Sequence, residues 1–195
     1  MTKKTLNQNS KYIQELIGNI ENGFIFSNNP MNRFGSIKKN QITNDDVEDK
    51  VQQLLDLKKQ INSIQNCNIK ENSKRLIMGD GEVNSPIMLI GETPAKEDEQ
   101  SGRSFKGEVG ELLDKMLLAI DIKREKIYTT YSINFRTPED RRPLSHEIKR
   151  YSVFLKEHIS IINPKIIILM GSTAMEAITG SNSKISEERG KWKEI

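Results

Sequence analysis

Apolar positions in this chain fall into short runs and helical spacings divided by polar stretches. The clearest run, Ile87-Met-Leu-Ile90 between Pro86 and Gly91, predicts a buried strand. Behind it an acidic loop carries Glu92, Glu97, Asp98 and Glu99, followed by Gly102, Phe105 and Gly107. Val109, Leu112, Leu113, Met116, Leu117 and Ile120 then recur at the spacing of a helix. Lys126 to Ile133, β-branched and aromatic, predicts a second strand, and Asn134 to Pro143 a polar loop. Ser145 is placed to cap a helix with apolar positions Ile148, Val153, Phe154, Ile159 and Ile162. Lys165 to Met170 is continuously apolar, as a strand covered on both faces would be. Gly171-Ser172-Thr173 opens a further helix that Gly180 can end.

Upstream, Leu76 to Gly81 predicts a short strand ending in a turn. Asp45 and Glu48 have capping-box spacing ahead of a helix marked by Val47, Val51, Leu54, Leu55, Lys58 and Ile61. Residues 1–42, rich in Asn, Ser and Lys, hold one weak helical pattern (Tyr12, Ile13, Leu16, Ile17, Ile20). They are expected to form a flexible or loosely docked N-terminal extension, leaving 43–195 as the folded domain. Strands alternating with helices across short connections predict an α/β protein, a three-layer α/β/α sandwich with a short, mostly parallel sheet.

Composition narrows the picture only a little. The 195 residues carry a net charge of +3 with a pI near 8.8, which permits nucleic-acid binding without demanding it. No stretch approaches the 18 apolar residues of a membrane span, and the charged N-terminus lacks the apolar core of a secretory signal. Cys67 is the only cysteine, so a disulfide within the chain is impossible and a cytoplasmic home is expected. His146 and His158 lie in a helical stretch and are expected to face solvent.

Carboxylates and an aromatic just past the carboxyl end of a strand sit where open α/β sheets place ligands. In detail, Gly91-Glu-Thr-Pro94, Glu97-Asp98, Gly102-Arg103, Phe105, Gly107, Gly110 and Leu112-Leu113-Asp114 resemble the first motif of the uracil-DNA glycosylase superfamily. The nearest branch is the bacterial and archaeal family 4, which is similar to a phage DNA-polymerase amino-terminal segment. Ile127-Tyr-Thr-Thr-Tyr131, Arg136-Thr-Pro138, Arg141-Arg-Pro143, Glu147-Ile148, Phe154-Leu155, Pro164 to Ile168, Gly171, Ala174 and Arg189-Gly-Lys-Trp192 continue the likeness in order, over about residues 61 to 195.

The resemblance implies a monomer acting on DNA in base-excision repair. It would hydrolyse the N-glycosidic bond of uracil, or another damaged base, swung out into a pocket. Bond cleavage builds positive charge on the sugar and negative charge on the departing base, so carboxylates and donors must face each other there. By matching position, Glu92 and Asp98 would be the catalytic carboxylates. Phe105 would stack on the base, with Tyr131 and Asn134 at the base-reading position, around one shared hollow. Arg141, Arg142, Ser172 and Thr173 would hold the DNA backbone. On this reading, Asp98→Asn abolishes base release while sparing the fold.

Three departures qualify the likeness. The family holds a 4Fe-4S cluster on four cysteines; here Ile64, Cys67, Phe135 and Tyr151 stand at those positions, so no metal cofactor is expected and Phe135 and Tyr151 should pack instead. The family's base-reading asparagine is matched by Tyr131. Its His-Pro-Ser motif and the strand bearing it would fall beyond Ile195, which leaves the third strand as an expected edge. A truncated frame, a fragment and a degenerate relative all fit. Two further functions stay open: a non-catalytic DNA-binding module, and a small-molecule nucleotide-binding protein using the same crevice.

Overall fold

The computed structural model describes residues 44–181 and 183–194. The expected extension over 1–42 lies outside them. Helix α1 (Asn44–Ser63) and a short α2 (Asn68–Asn72) lead to β1 (Asp80–Gly81) and β2 (Ile87–Gly91). Next come α3 (Lys96–Ser101), α4 (Gly107–Leu118), β3 (Tyr128–Tyr131), α5 (Ser145–Ile162), β4 (Ile166–Leu169), α6 (Ser172–Thr179) and α7 (Ile185–Glu188).

The sheet runs β1-β3-β2-β4, with β2, β3 and β4 parallel and only the two-residue β1 antiparallel. β2 is central, and Met88, Leu89 and Ile90 are all buried. Strand alternation sends these side chains into two cores. Met88, Ile90 and Tyr128 meet Leu57 and Ile61 of α1, Tyr151 and Leu155 of α5, and Ala174 and Ile178 of α6. On the other face Leu89 and Tyr131 meet Leu113 and Leu117 of α4, together with Phe105. Each fully buried Leu or Ile here is worth about 1.5–3 kcal/mol relative to solvent exposure. Among the described residues no helix is long and apolar enough to cross a membrane.

Several sequence expectations are corrected. The acidic loop is partly helical: Asp98 and Glu99 are buried within α3. β4 lies at the sheet edge as expected but is covered on one face instead of both, with Ile167 and Leu169 against the first core and Ile166 and Ile168 exposed. On α4 the buried large side chains are Leu113 and Leu117, while Val109, Leu112 and Met116 are exposed, as is Ile120 just past the helix end. In α5 the inward stripe is Ile148, Tyr151, Leu155, His158 and Ile162, and Val153 faces out. Ser145 is the first residue of α5, not its cap; the Leu144 N–H donates to Glu147 Oε2 at 2.7 Å. Asp45 falls inside the first turn of α1, and its side chain lies outside the described set.

His158 is buried instead of solvent-facing. Its Nε2 lies 2.9 Å from the Tyr128 hydroxyl, and burial pushes its pKa down to about 3. His146 is exposed, as expected.

Candidate functional site

Parallel pairing of β2 with β3 sets Gly91 directly beside Tyr131, so the chain leaves both strands at the same end of the sheet. Met170 donates its N–H to the Ile90 carbonyl there at 2.8 Å, which brings the start of α6 to the same place. This is the carboxyl-end crevice of a parallel sheet.

Glu92 follows immediately. Its Oε1 accepts the Thr173 N–H at 2.8 Å and the Ser172 hydroxyl at 3.3 Å. The carboxylate therefore caps a helix from another strand's exit, where the helix dipole favours negative charge. Gly171, at φ 106°, makes this possible: a Cβ built there would lie 2.4 Å from the Glu92 side chain. Thr173 is buried, and its Oγ1 has no hydrogen-bond partner among the described residues.

Asp98 is buried and pins the loop. Its Oδ2 accepts the Ala95 N–H at 2.7 Å and the Tyr131 hydroxyl at 2.7 Å, and its Oδ1 accepts the Lys106 N–H at 2.6 Å. The Tyr131 hydroxyl in turn accepts the Phe105 N–H at 2.9 Å. Phe105 has a left-handed backbone at φ 52°, a conformation that for a bulky residue costs about 1–3 kcal/mol and clusters at functional sites. Its ring stacks on Tyr131 at 4.9 Å with 23° between planes. Both rings lie directly on the Gly91 backbone, where a Cβ would come within 2.8 Å of each. Burial, reinforced by the bond to Asp98, raises the Tyr131 pKa.

The structure thus joins Asp98, Phe105 and Tyr131 in one unit and turns the Glu92 carboxylate toward Ser172 and Thr173. The Tyr131 ring takes up the space over Phe105. Two open clefts, of about 380 Å³ between Asp80, Val83, Arg103 and Arg124 and about 340 Å³ between Lys58, Asn62, Arg75 and Ser101, include neither Phe105 nor Glu92 in their walls.

The remaining sequence candidates stand apart. Asn134 is buried, and its amide donates to the Ile77 carbonyl at 3.0 Å, tying the exit of β3 to the chain before β1. Arg141 grips Glu147 through two bonds of 2.7 and 2.8 Å, which raises the Arg141 pKa and holds the Glu147 carboxyl below its ordinary range. Arg142 is exposed and reaches Glu176 of α6 at 3.3 Å. Sequence reasoning missed Arg124, whose guanidinium lies 5.6 Å over the Phe105 ring and donates to the Ser104 carbonyl at 3.2 Å. No local motif marks that residue. Gly171 reads from the sequence as a helix start and a position of the family likeness, and neither signal reveals that its positive φ admits Glu92.

The four positions that the resemblance assigns to cluster ligands meet in the first core. Cys67, Phe135 and Tyr151 are buried there, with Ile64 packed against them. Phe135 and Tyr151 pack edge to face at 6.3 Å, and Cys67 Sγ lies 3.3 Å from the Tyr151 hydroxyl. One thiol among apolar and phenolic side chains does not fit an iron–sulfur cluster, which needs thiolate ligands.

Comparison with known proteins gives a consistent setting. Residues 78–194, more than half of the chain, match the Uracil DNA glycosylase superfamily. A Type-4 uracil-DNA glycosylase of Thermotoga maritima is 33% identical over 125 residues, 64% of this chain and 65% of that protein. One from Archaeoglobus fulgidus is 28% identical over 149 residues, 74% of this chain and 75% of that protein. A DNA polymerase of Bacillus phage SP01 is 30% identical over 128 residues, 65% of this chain but 14% of the polymerase. This chain therefore spans about two thirds to three quarters of the length of these glycosylases.

Proposed function

Because the chain belongs to the uracil-DNA glycosylase superfamily, we propose that it acts as a single chain on DNA, as a uracil-DNA glycosylase-type repair protein. It binds at the carboxyl ends of β2, β3 and β4 and hydrolyses the N-glycosidic bond of an everted uracil. The observation that carries this reading is the placement of Glu92. Its carboxylate stands at the end of the central strand, held by the Thr173 N–H and the Ser172 hydroxyl at the start of α6. A fixed negative group there stabilises the positive charge that develops on the sugar as the bond to the base breaks. Ser172 at the start of α6 and Arg142, exposed and paired with Glu176 of the same helix, would supply phosphate contacts.

The test uses oligonucleotides bearing one uracil. Binding should weaken as salt rises, and release of the base should fall by about 10²–10³ in Glu92→Gln with binding kept. Release unchanged by Glu92→Gln would remove Glu92 from the chemistry. The stack of Tyr131 on Phe105 favours a second reading, a DNA-binding module that no longer excises. Salt-sensitive binding without any base release selects it.

A further inference from the structure

We propose that Tyr131 is the specificity-determining residue of this site: its phenol is a resident stand-in for a nucleobase, and a base enters only by displacing it. The side chain copies each contact a planar heterocycle would make. Its ring stacks on Phe105 at 4.9 Å and 23°, the geometry of base–aromatic stacking. Its hydroxyl donates to the Asp98 carboxylate at 2.7 Å and accepts the Phe105 N–H at 2.9 Å. Beneath the tyrosine there is thus a hydrogen-bond acceptor beside a donor, both edged by an aromatic platform. An adjacent N–H and C=O on a pyrimidine ring satisfy the same pair.

The surroundings hold this receptor in shape. Gly91 lets both rings rest on the strand backbone, the left-handed Phe105 aims its N–H at the hydroxyl, and the Ala95 and Lys106 amides fix Asp98. An ordinary apolar core needs none of these polar pieces. A buried carboxylate and a strained backbone around one phenol are costly unless they form a site. A resident side chain also acts as a competitor: the affinity for any base is reduced by the fraction of time the tyrosine is in place.

The experiment measures free uracil and 1,3-dimethyluracil binding to the full chain by NMR titration, in wild type, Tyr131→Ala, Tyr131→Asn and Tyr131→Phe. The alanine and asparagine variants should bind uracil at least about tenfold more tightly than wild type. Tyr131→Phe keeps the ring over Phe105 but gives up both hydrogen bonds of the hydroxyl, so it should bind uracil more tightly than wild type and less tightly than the two opening variants. In the variants that open the site, 1,3-dimethyluracil, which cannot donate to Asp98, should bind at least about tenfold more weakly than uracil. Equal uracil binding by wild type and the two opening variants overturns the proposal. So does equal binding of both probes, which would mean a bare cavity.

Wild type supplies a check that needs no variant: millimolar uracil should leave the Phe105 and Tyr131 ring signals in place. Shifts of both without loss of their mutual contact would show a base seated elsewhere and overturn the stand-in role. The proposal takes from the function above only the kind of base. A chain that binds no DNA ends that function and leaves the uracil comparison standing.

Discussion

Asp98 is where the structure makes its sharpest demand. Its two oxygens receive three donors, the Ala95 N–H at 2.7 Å, the Lys106 N–H at 2.6 Å and the Tyr131 hydroxyl at 2.7 Å, and the side chain is buried. Asp98→Ala strands all three. A sealed donor left without a partner costs about 1–3 kcal/mol. The tyrosine hydroxyl is sealed; the two amides belong to half-buried residues that water reaches in part, so they sit at the low end of that range. The sum is about 3–5 kcal/mol, a large share of the 5–15 kcal/mol typical of a domain.

Asp98→Asn is milder but not silent. One face of the amide still accepts, while its NH₂ confronts an N–H or O–H donor on the other, for a cost of about 2 kcal/mol. The sequence-based expectation that this variant spares the fold is therefore revised. Urea unfolding followed by circular dichroism measures both. At a slope of about 2 kcal/mol per molar urea, the alanine midpoint should fall by about 2 M and the asparagine midpoint by about 1 M. An alanine variant within about 1 kcal/mol of wild type would refute the account of Asp98 as the pin of the Phe105 loop.

Three further outcomes follow, one from the buried His158 and one from each of two arginines. His158 is neutral in the native state, with its pKa near 3, whereas in the unfolded chain it takes up a proton near 6.5. Its contribution is complete above about pH 6.5 and is lost as pH falls toward 3, by about 1.4 kcal/mol per unit. Urea midpoints taken from pH 7 to 5 should fall in wild type and flatten in His158→Gln; equal slopes refute this. Arg141→Ala removes the two-bond grip on Glu147 and should cost about 1 kcal/mol, read as a lower melting temperature. Arg142→Ala, tied only by a 3.3 Å contact, should leave melting unchanged and reduce the salt dependence of DNA binding by about one phosphate contact.

Much of the scaffold is legible in the sequence because its signals are local. Ile87 to Ile90 is apolar throughout and becomes the central strand; Gly180 ends α6 with a left-handed turn at φ 70°. What periodicity cannot supply is which of two apolar stripes turns inward. On α4 both Leu113–Leu117 and Leu112–Met116 fit a helix face, and only the first meets the sheet. On α5 the omission of Tyr151 and Leu155 from the apolar set hid the stripe that carries His158 to the core. Strand β4 reads as doubly covered because a run of isoleucines has the same composition at an edge as at a centre. The site was legible as a set of residues, but not as a geometry. No spacing rule reveals that Asp98 would spend both oxygens on its own loop, or that Glu92 would turn to a helix eighty residues further along the chain.

The same kind of substitution has different consequences at two of the places where this chain departs from the family's pattern. At the positions of cluster ligands, Phe135 and Tyr151 join Cys67 and Ile64 in close packing, through buried area, an edge-to-face ring contact and the Tyr151 hydroxyl against Cys67 Sγ. Restoring one cysteine there would exchange that packing for a cavity without creating a metal site, since a single thiolate more is still far from four. At Tyr131 the aromatic does not remake its surroundings into ordinary core. Asp98, the Phe105 N–H, the Phe105 ring and the Gly91 floor all keep the polarity and spacing of a receptor. One substitution there uncovers two oriented polar groups and a stacking face together. A metal site thus needs several coordinated changes against the packing, whereas opening the space over Phe105 needs one, because Asp98, the Phe105 N–H and the Phe105 ring already surround the Tyr131 side chain.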